Sequence, residues 1–152
     1  MIKKLTILVL TIAVLMGIVG LIFKKQTPPP ADLYSLIVGD AQIKVELAES
    51  QGARAQGLGG RKSLPQDQGM FFIFEKSEAH PFWMRDMQFP LDIIWLDENY
   101  KVVYIEKDLN PDTYPKSFGP DVPTKYVLET NTGWTEKNKI TLGSQAVFLR
   151  PH

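Results

Sequence analysis

From Leu5 to Phe23 the chain runs 19 residues without a charge, rich in Leu, Ile and Val. A helix rises about 1.5 Å per residue, so a run of this length nearly crosses a hydrocarbon core of about 30 Å. A cleaved secretory signal is the competing reading, but its apolar stretch usually spans only about 7–15 residues and ends at a small-residue cleavage site. No such site follows here, and Lys24-Lys25 comes directly after the run. A lipoprotein signal would need a cysteine, and the chain has none. Residues 1–25 are therefore read as an N-terminal transmembrane helix that stays as an anchor, with a cleaved signal as the alternative. Lysines flank the run on both sides, but the free amino group adds to the N-terminal side, and the more basic end normally stays inside. The remainder would then face the periplasm or the exterior. Thr27-Pro28-Pro29-Pro30 cannot continue a helix, so residues 26–32 form a stiff linker. Residues 33–152 are left for one globular domain, large enough to bury a core without staples.

The formal net charge of zero hides an asymmetry. Four of the 17 basic residues (Lys3, Lys4, Lys24, Lys25) flank the apolar run, which leaves 13 basic against 17 acidic side chains beyond it. A net acidic domain argues against a nucleic-acid partner, which needs concentrated positive charge to displace counterions. The lack of cysteine excludes disulfides, thiol nucleophiles and thiolate metal sites.

Within the domain, Leu33–Val38 and Ile43–Leu47 read as strands around a tight turn at Gly39-Asp40. Residues 49–58 suit one short helix that stops at the glycines Gly57, Gly59 and Gly60. Met70–Phe74, Pro81–Met84, Leu91–Leu96 and Lys101–Glu106 read as further strands. Lys107–Lys125 holds four of the 11 prolines and no helical period, so it is expected to be a long loop. Tyr126–Glu129 resumes a strand, Gly133–Lys139 forms a helical turn, and Ile140–Leu149 closes the domain as a strand broken at Gly143-Ser144. Many short strands with little helix predict an α+β, mainly β fold: a small antiparallel sheet curled into a barrel-like form with one or two short helices. A doubly wound parallel fold does not fit, because no full crossover helix separates the strands.

Several blocks occur in an order that resembles the domain of unknown function 192 family. They are Val45-Glu46-Leu47-Ala48, Gln56-Gly57-Leu58, Gly60-Arg61, Leu64-Pro65, Gly69-Met70 with Phe72 and Phe74, Phe82-Trp83-Met84-Arg85, Pro90-Leu91-Asp92-Ile93-Ile94, Tyr126-Val127-Leu128-Glu129 and Gly133. The resemblance covers about residues 41–149. It implies a β-rich domain, often behind a signal or anchor, and no particular reaction. Gly59 stands where the family tends to have methionine, and Ser144 where an acidic residue commonly follows the late glycine, so a site that used either position would be altered here.

Trp83, Met84, Arg85 and Asp92 form the densest polar and aromatic constellation in the chain. A carboxylate at the start of an apolar strand needs a cation or hydrogen-bond donors, and Arg61 and Arg85 are the candidate partners for Asp92. The bland reading is an ion pair that pins a loop to the sheet. The functional reading is a ligand pocket in which Trp83 stacks and Arg61, Arg85, Asp92 and Glu46 orient polar groups. Gly57–Ser63 imitates a phosphate loop, but Leu64-Pro65 follows where a helix is required. Met70, Met84, Met87 and His80 could suit a soft metal, yet methionine among aromatics is ordinarily core filler. No metal or cofactor is expected. No Gly-x-Ser-x-Gly or His-Glu-x-x-His motif occurs, and a Ser–His–Asp arrangement would rest wholly on His80.

These observations favour a membrane-anchored, non-enzymatic binding or interaction domain of the cell envelope, taking a small polar ligand or an envelope protein. The alternative is an envelope hydrolase that cleaves polysaccharide with two of the carboxylates Glu46, Asp92 and Glu129. Docking of another protein along an exposed strand edge is a third reading.

Overall fold

The first two strands form where apolar and polar residues alternate. β1 (Tyr34–Val38) and β2 (Ala41–Ala48) pair antiparallel, and Gly39, at φ +57°, makes the turn between them. These coordinates come from a computed structural model that describes residues 32–150. The expected anchor and most of the linker lie outside the described residues. Among those described, no helix is long and apolar enough to cross a membrane.

After β2 the chain makes a short helix, α1 (Gln51–Gln56), where Ser50 caps the N-terminus by accepting a hydrogen bond from the Ala53 N–H. The remaining strands are β3 (Gln68–Glu78), β4 (Phe82–Trp83), β5 (Leu91–Leu96), β6 (Val102–Leu109), β7 (Ser117–Phe118), β8 (Thr124–Asn131) and β9 (Ala146–Leu149). A second helix, α2 (Trp134–Lys137), follows β8. Seven strands form one sheet in the order β6-β5-β8-β3-β2-β1-β9, and β4 with β7 forms a separate ribbon.

The sheet curls until its two edges meet. Lys101 bridges Gln145, and Val102 N–H to Ser144 O, Gly143 N–H to Val102 O and Ala146 N–H to Tyr100 O tie the start of β6 to the segment entering β9. Both faces of the sheet are covered. Leu36, Val45, Phe71, Ile94, Leu128 and Trp134 belong to the core inside the curl. Met70, Phe72, Ile93, Trp95 and Val127 belong to a second core with Leu58, Leu64 and Met84. Strand β5 is buried at every residue, which explains why its sequence is a continuous apolar run apart from Asp92.

The curled, mainly β sheet with two short helices matches the expectation, with four differences. β2 and β3 run parallel, because the segment between them carries α1 back across the sheet before β3 begins. The expected loop at Lys107–Lys125 contains structure: β6 runs on to Leu109, a 3-10 turn spans Pro111–Thr113, β7 pairs with β4, and β8 already starts at Thr124. Strand β3 also extends further at both ends than Met70–Phe74. The closing segment is a strand only over Ala146–Leu149, since positive φ at Lys139 and Gly143 turns the chain before it.

Candidate functional site

Strand parity decides which polar side chains can meet. Along one row of the sheet, Glu46 pairs with Met70, Met70 with Glu129, and Glu129 with Ile93. These residues therefore share one face. Asp92 is Ile93's neighbour along β5 and pairs with Thr130, so it points to the other face.

On the Glu129 face, α1 and the segment after it lie across the sheet, with the β4 segment beside them. Between them is a cavity of ≈ 380 Å³. Its lining includes Phe72, Phe74, Phe82 and Trp83, the arginines Arg54 and Arg85, and Glu129. The volume lies in the range of small-molecule sites, and the mix of aromatic wall and few polar groups is usual for them. Trp83 is 49% exposed and Arg85 is exposed, so they stand at the mouth. Glu129 is buried and forms the floor.

Glu129 sits in an unusual state. Its Oε2 atom is buried and has no hydrogen-bond partner among the described residues. A Cβ built on Gly57 would lie 3.7 Å from that oxygen, so the glycine leaves the space beside the carboxyl empty. Burial pushes the Glu129 carboxyl up to about 8, and the positive charge of Arg61 opposes that rise. At neutral pH the group is a carboxylic acid, able to donate one hydrogen bond and accept others. A buried polar group without a partner costs about 1–3 kcal/mol, which is a common mark of a functional site.

The two cavity arginines are held on aromatic faces. The Arg54 guanidinium lies 5.3 Å from the Phe74 ring centre and donates to the carbonyls of Glu49 and Ile73. Arg85 lies 5.1 Å from the Trp83 ring centre and donates to Ala55 O at 3.2 Å. Its nearest carboxylate is the exposed Asp86, 3.9 Å away, and Arg54 has no ion pair among the described residues. Trp83 is braced edge-on by Tyr114, with ring centres 6.1 Å apart.

The residues singled out in the sequence divide into three places. Trp83 and Arg85 line the cavity. Arg61 and Glu46 form a two-pronged ion pair, with N–O distances of 2.5 and 2.8 Å, adjacent to Glu129 but outside the lining. Asp92 has neither arginine as a partner. Its carboxylate accepts from the Asp108 N–H, the Thr135 N–H and the Thr135 hydroxyl, so the expected ion pair is replaced by neutral donors.

The phosphate-loop reading of Gly57–Ser63 is not supported either. The N–H groups of Gly57, Gly59, Gly60 and Arg61 donate to Ala53 O, Gln56 O, Asp86 O and Leu58 O, which leaves none of these four to cradle an anion. Met70 and Met84 are buried core residues, and the His80 ring stacks on Phe74 at 3.5 Å. Among the described residues no group of three His, Asp or Glu side chains converges as a metal site would require. The sequence reading missed Arg54 as a site residue and weighed Glu129 only as a catalytic carboxylate. The signal for Glu129 was its place directly after the apolar string Tyr126-Val127-Leu128.

Two solved structures share this fold. One is a crystal structure from Sinorhizobium meliloti described as "a putative transcription regulator", 24% identical, with a TM-score of 0.73 over 78% of this chain and 95% of that one. The other, a protein of unknown function from Novosphingobium aromaticivorans, is 27% identical, with a TM-score of 0.73 over 80% of this chain and 89% of that one. No curated protein matches the sequence. The DUF192 family model, described as an uncharacterized ACR, matches residues 35–148. That match reaches from β1 to β9 and takes in every cavity residue, and the chain belongs to the DUF192 family.

Proposed function

We propose that this protein is a membrane-anchored binding domain of the cell envelope, which takes a small polar ligand into the cavity between α1 and β4. The single observation that carries the binding role is the unpartnered carboxyl oxygen of Glu129, buried at the floor of an aromatic-walled cavity. A group in that state gains a hydrogen bond when a ligand enters, which no internal partner supplies. The uncharged run Leu5–Phe23 supports the anchor, and the basic N-terminal flank supports an extracytoplasmic domain.

The test is a thermal-shift screen of the full-length protein in detergent against metal ions, nucleotides, anions and cell-wall sugars. A ligand at about a hundred times its dissociation constant stabilises by roughly 2.7 kcal/mol. A shift that disappears in Trp83→Ala supports the cavity as the site. A blank panel, or a shift that survives the substitution, counts against it. Alkaline extraction of membranes checks the anchor, since an integral segment stays with the pellet.

Hydrolysis of a polysaccharide is the second reading, favoured by one observation: a carboxylic acid that stays protonated at neutral pH is what a general acid requires. Glu46, on the same face, is the other carboxylate, and its pairing with Arg61 removes it from solvent-activating work. Release of reducing sugar that is lost in Glu129→Gln would favour this reading over binding alone.

A further inference from the structure

We infer that the ligand is an organic anion with a flat apolar body, its acid group held by the cavity arginines and a carbonyl-type acceptor placed against Glu129. This rests on the cavity being a binding site and names the chemistry it selects.

Three features of the cavity lead there. Arg54 and Arg85 both line it, and neither has a carboxylate within close hydrogen-bonding distance among the described residues. Their guanidinium groups lie over the Phe74 and Trp83 rings, and only Nη1 of Arg54 and Nη2 of Arg85 donate to backbone carbonyls, which leaves other N–H groups for a planar anion. Arg and carboxylate match each other's geometry, and such charge-assisted bonds are roughly twice as strong as neutral ones. Phe82 stands edge-on to Phe72 and to Trp95, at 4.8 and 5.8 Å, so its position is fixed by packing. Together with the half-exposed Trp83 it offers a flat apolar body aromatic surface on which to pack.

The floor then completes the selection. A protonated Glu129 donates to an acceptor oxygen and adds no negative charge to repel the anion. The charge acting on Glu129 is that of Arg61, which is paired with Glu46, while Arg54 and Arg85 line the same cavity. When Glu129 ionises, its charge opposes a bound anion and the donated hydrogen bond is lost, so anion affinity falls as pH rises through about 8.

Benzoate, benzamide and benzylamine, each carrying a para-acetyl group as the carbonyl acceptor, share a ring and differ in charge, which makes them suitable probes. Each is titrated into the full-length protein in detergent, following the Trp83 indole N–H resonance, at about pH 6.5 and again at about pH 9.5, on either side of the Glu129 transition. Benzoate is expected to bind about tenfold tighter than the other two at the lower pH, the scale of one charge-assisted hydrogen bond. Arg85→Gln, at an exposed position, should keep the melting temperature and lose that preference. Benzoate binding should weaken at the higher pH in the wild type and stay level in Glu129→Gln. Equal binding of the three probes, or an unchanged preference in Arg85→Gln, overturns the inference while leaving the cavity a binding site. If no probe moves the Trp83 resonance, the binding role itself fails.

Discussion

Thr135 donates two hydrogen bonds to the Asp92 carboxylate, from its backbone N–H at 3.0 Å and from its hydroxyl at 2.6 Å. Asp108 adds a third from its backbone N–H at 3.0 Å. One carboxylate on β5 thus fastens both the first turn of α2 and the end of β6. Asp92→Ala would leave three donors facing a void, one of them the Thr135 hydroxyl, buried with its residue. A loss of roughly 3 kcal/mol is expected, from the usual cost of unmet buried donors and charged hydrogen bonds. Urea denaturation measures it directly. In a double-mutant cycle, Asp92→Asn and Thr135→Val should be strongly non-additive. Additive losses would mean the two residues act separately.

Stability should depend on pH through Glu129. Its pKa is about 8 when folded against an ordinary 4.5, so between those values the folded state holds a proton that the unfolded state has released. Stability from this group is therefore full below about pH 4.5, declines as pH rises, and levels off above about 8. Glu129→Gln removes the decline and should be the more stable protein at about pH 9, by roughly a few kcal/mol. Melting curves of the two proteins across the range check this, and parallel curves would show that Glu129 does not titrate in the window.

Arg61 controls where that transition falls. Its positive charge favours the ionised form of Glu129, so Arg61→Gln should move the Glu129 titration to higher pH. The same change releases Glu46 from its two-pronged pair, at a cost of roughly 1 kcal/mol for a partly exposed bridge. Carboxyl-carbon NMR of Glu129 in both proteins reads the shift without relying on stability.

Gly69 is the position where an added methyl should be least tolerated. A Cβ there would come within 2.7 Å of the Glu129 carbonyl oxygen and 3.1 Å of a Leu128 methyl carbon, both on the neighbouring strand β8. Backbone cannot move aside without opening the β3–β8 ladder. Gly69→Ala is expected to destabilise by about 1–3 kcal/mol, as overpacking of a core does. Gly52→Ala is the control, because nothing lies within 4 Å of its added carbon. Equal effects at the two positions would contradict the close strand approach.

The strands were legible in the sequence wherever one face differs from the other. Ile43, Val45 and Leu47 alternate with Gln42, Lys44 and Glu46, and β2 lies where that pattern runs. Legibility fails where both faces are buried. In Leu91–Leu96 and Tyr126–Glu129 no polar spacing marks which residue points where, so Asp92 was placed in the pocket with Glu46 and Glu129 entered only as a possible catalytic carboxylate. Pairing register separates them, and register is a long-range property that no local pattern records. The parallel β2–β3 pair is of the same kind, since nothing in a six-residue helix announces that the chain will cross back over the sheet. Trp83 and Arg85 were found because an aromatic and a cation two residues apart at the end of a short strand form a dense polar and aromatic cluster. Arg54 was passed over because a single cation on a short helix is ordinarily a solvated surface residue.

The neighbour of β1 across the sheet is β9, from the opposite end of the domain: Leu36 faces Phe148 and Val38 faces Ala146. A ribosome releases β1 early and β9 late, so the curl cannot shut during most of synthesis. Until then β1 has only β2 beside it and is an open edge of the sheet, with its other row of backbone groups unpaired. The domain consequently folds late and as a whole, through contacts of long sequence separation that form slowly. A nascent chain with this wiring cannot close its sheet until its final strand arrives.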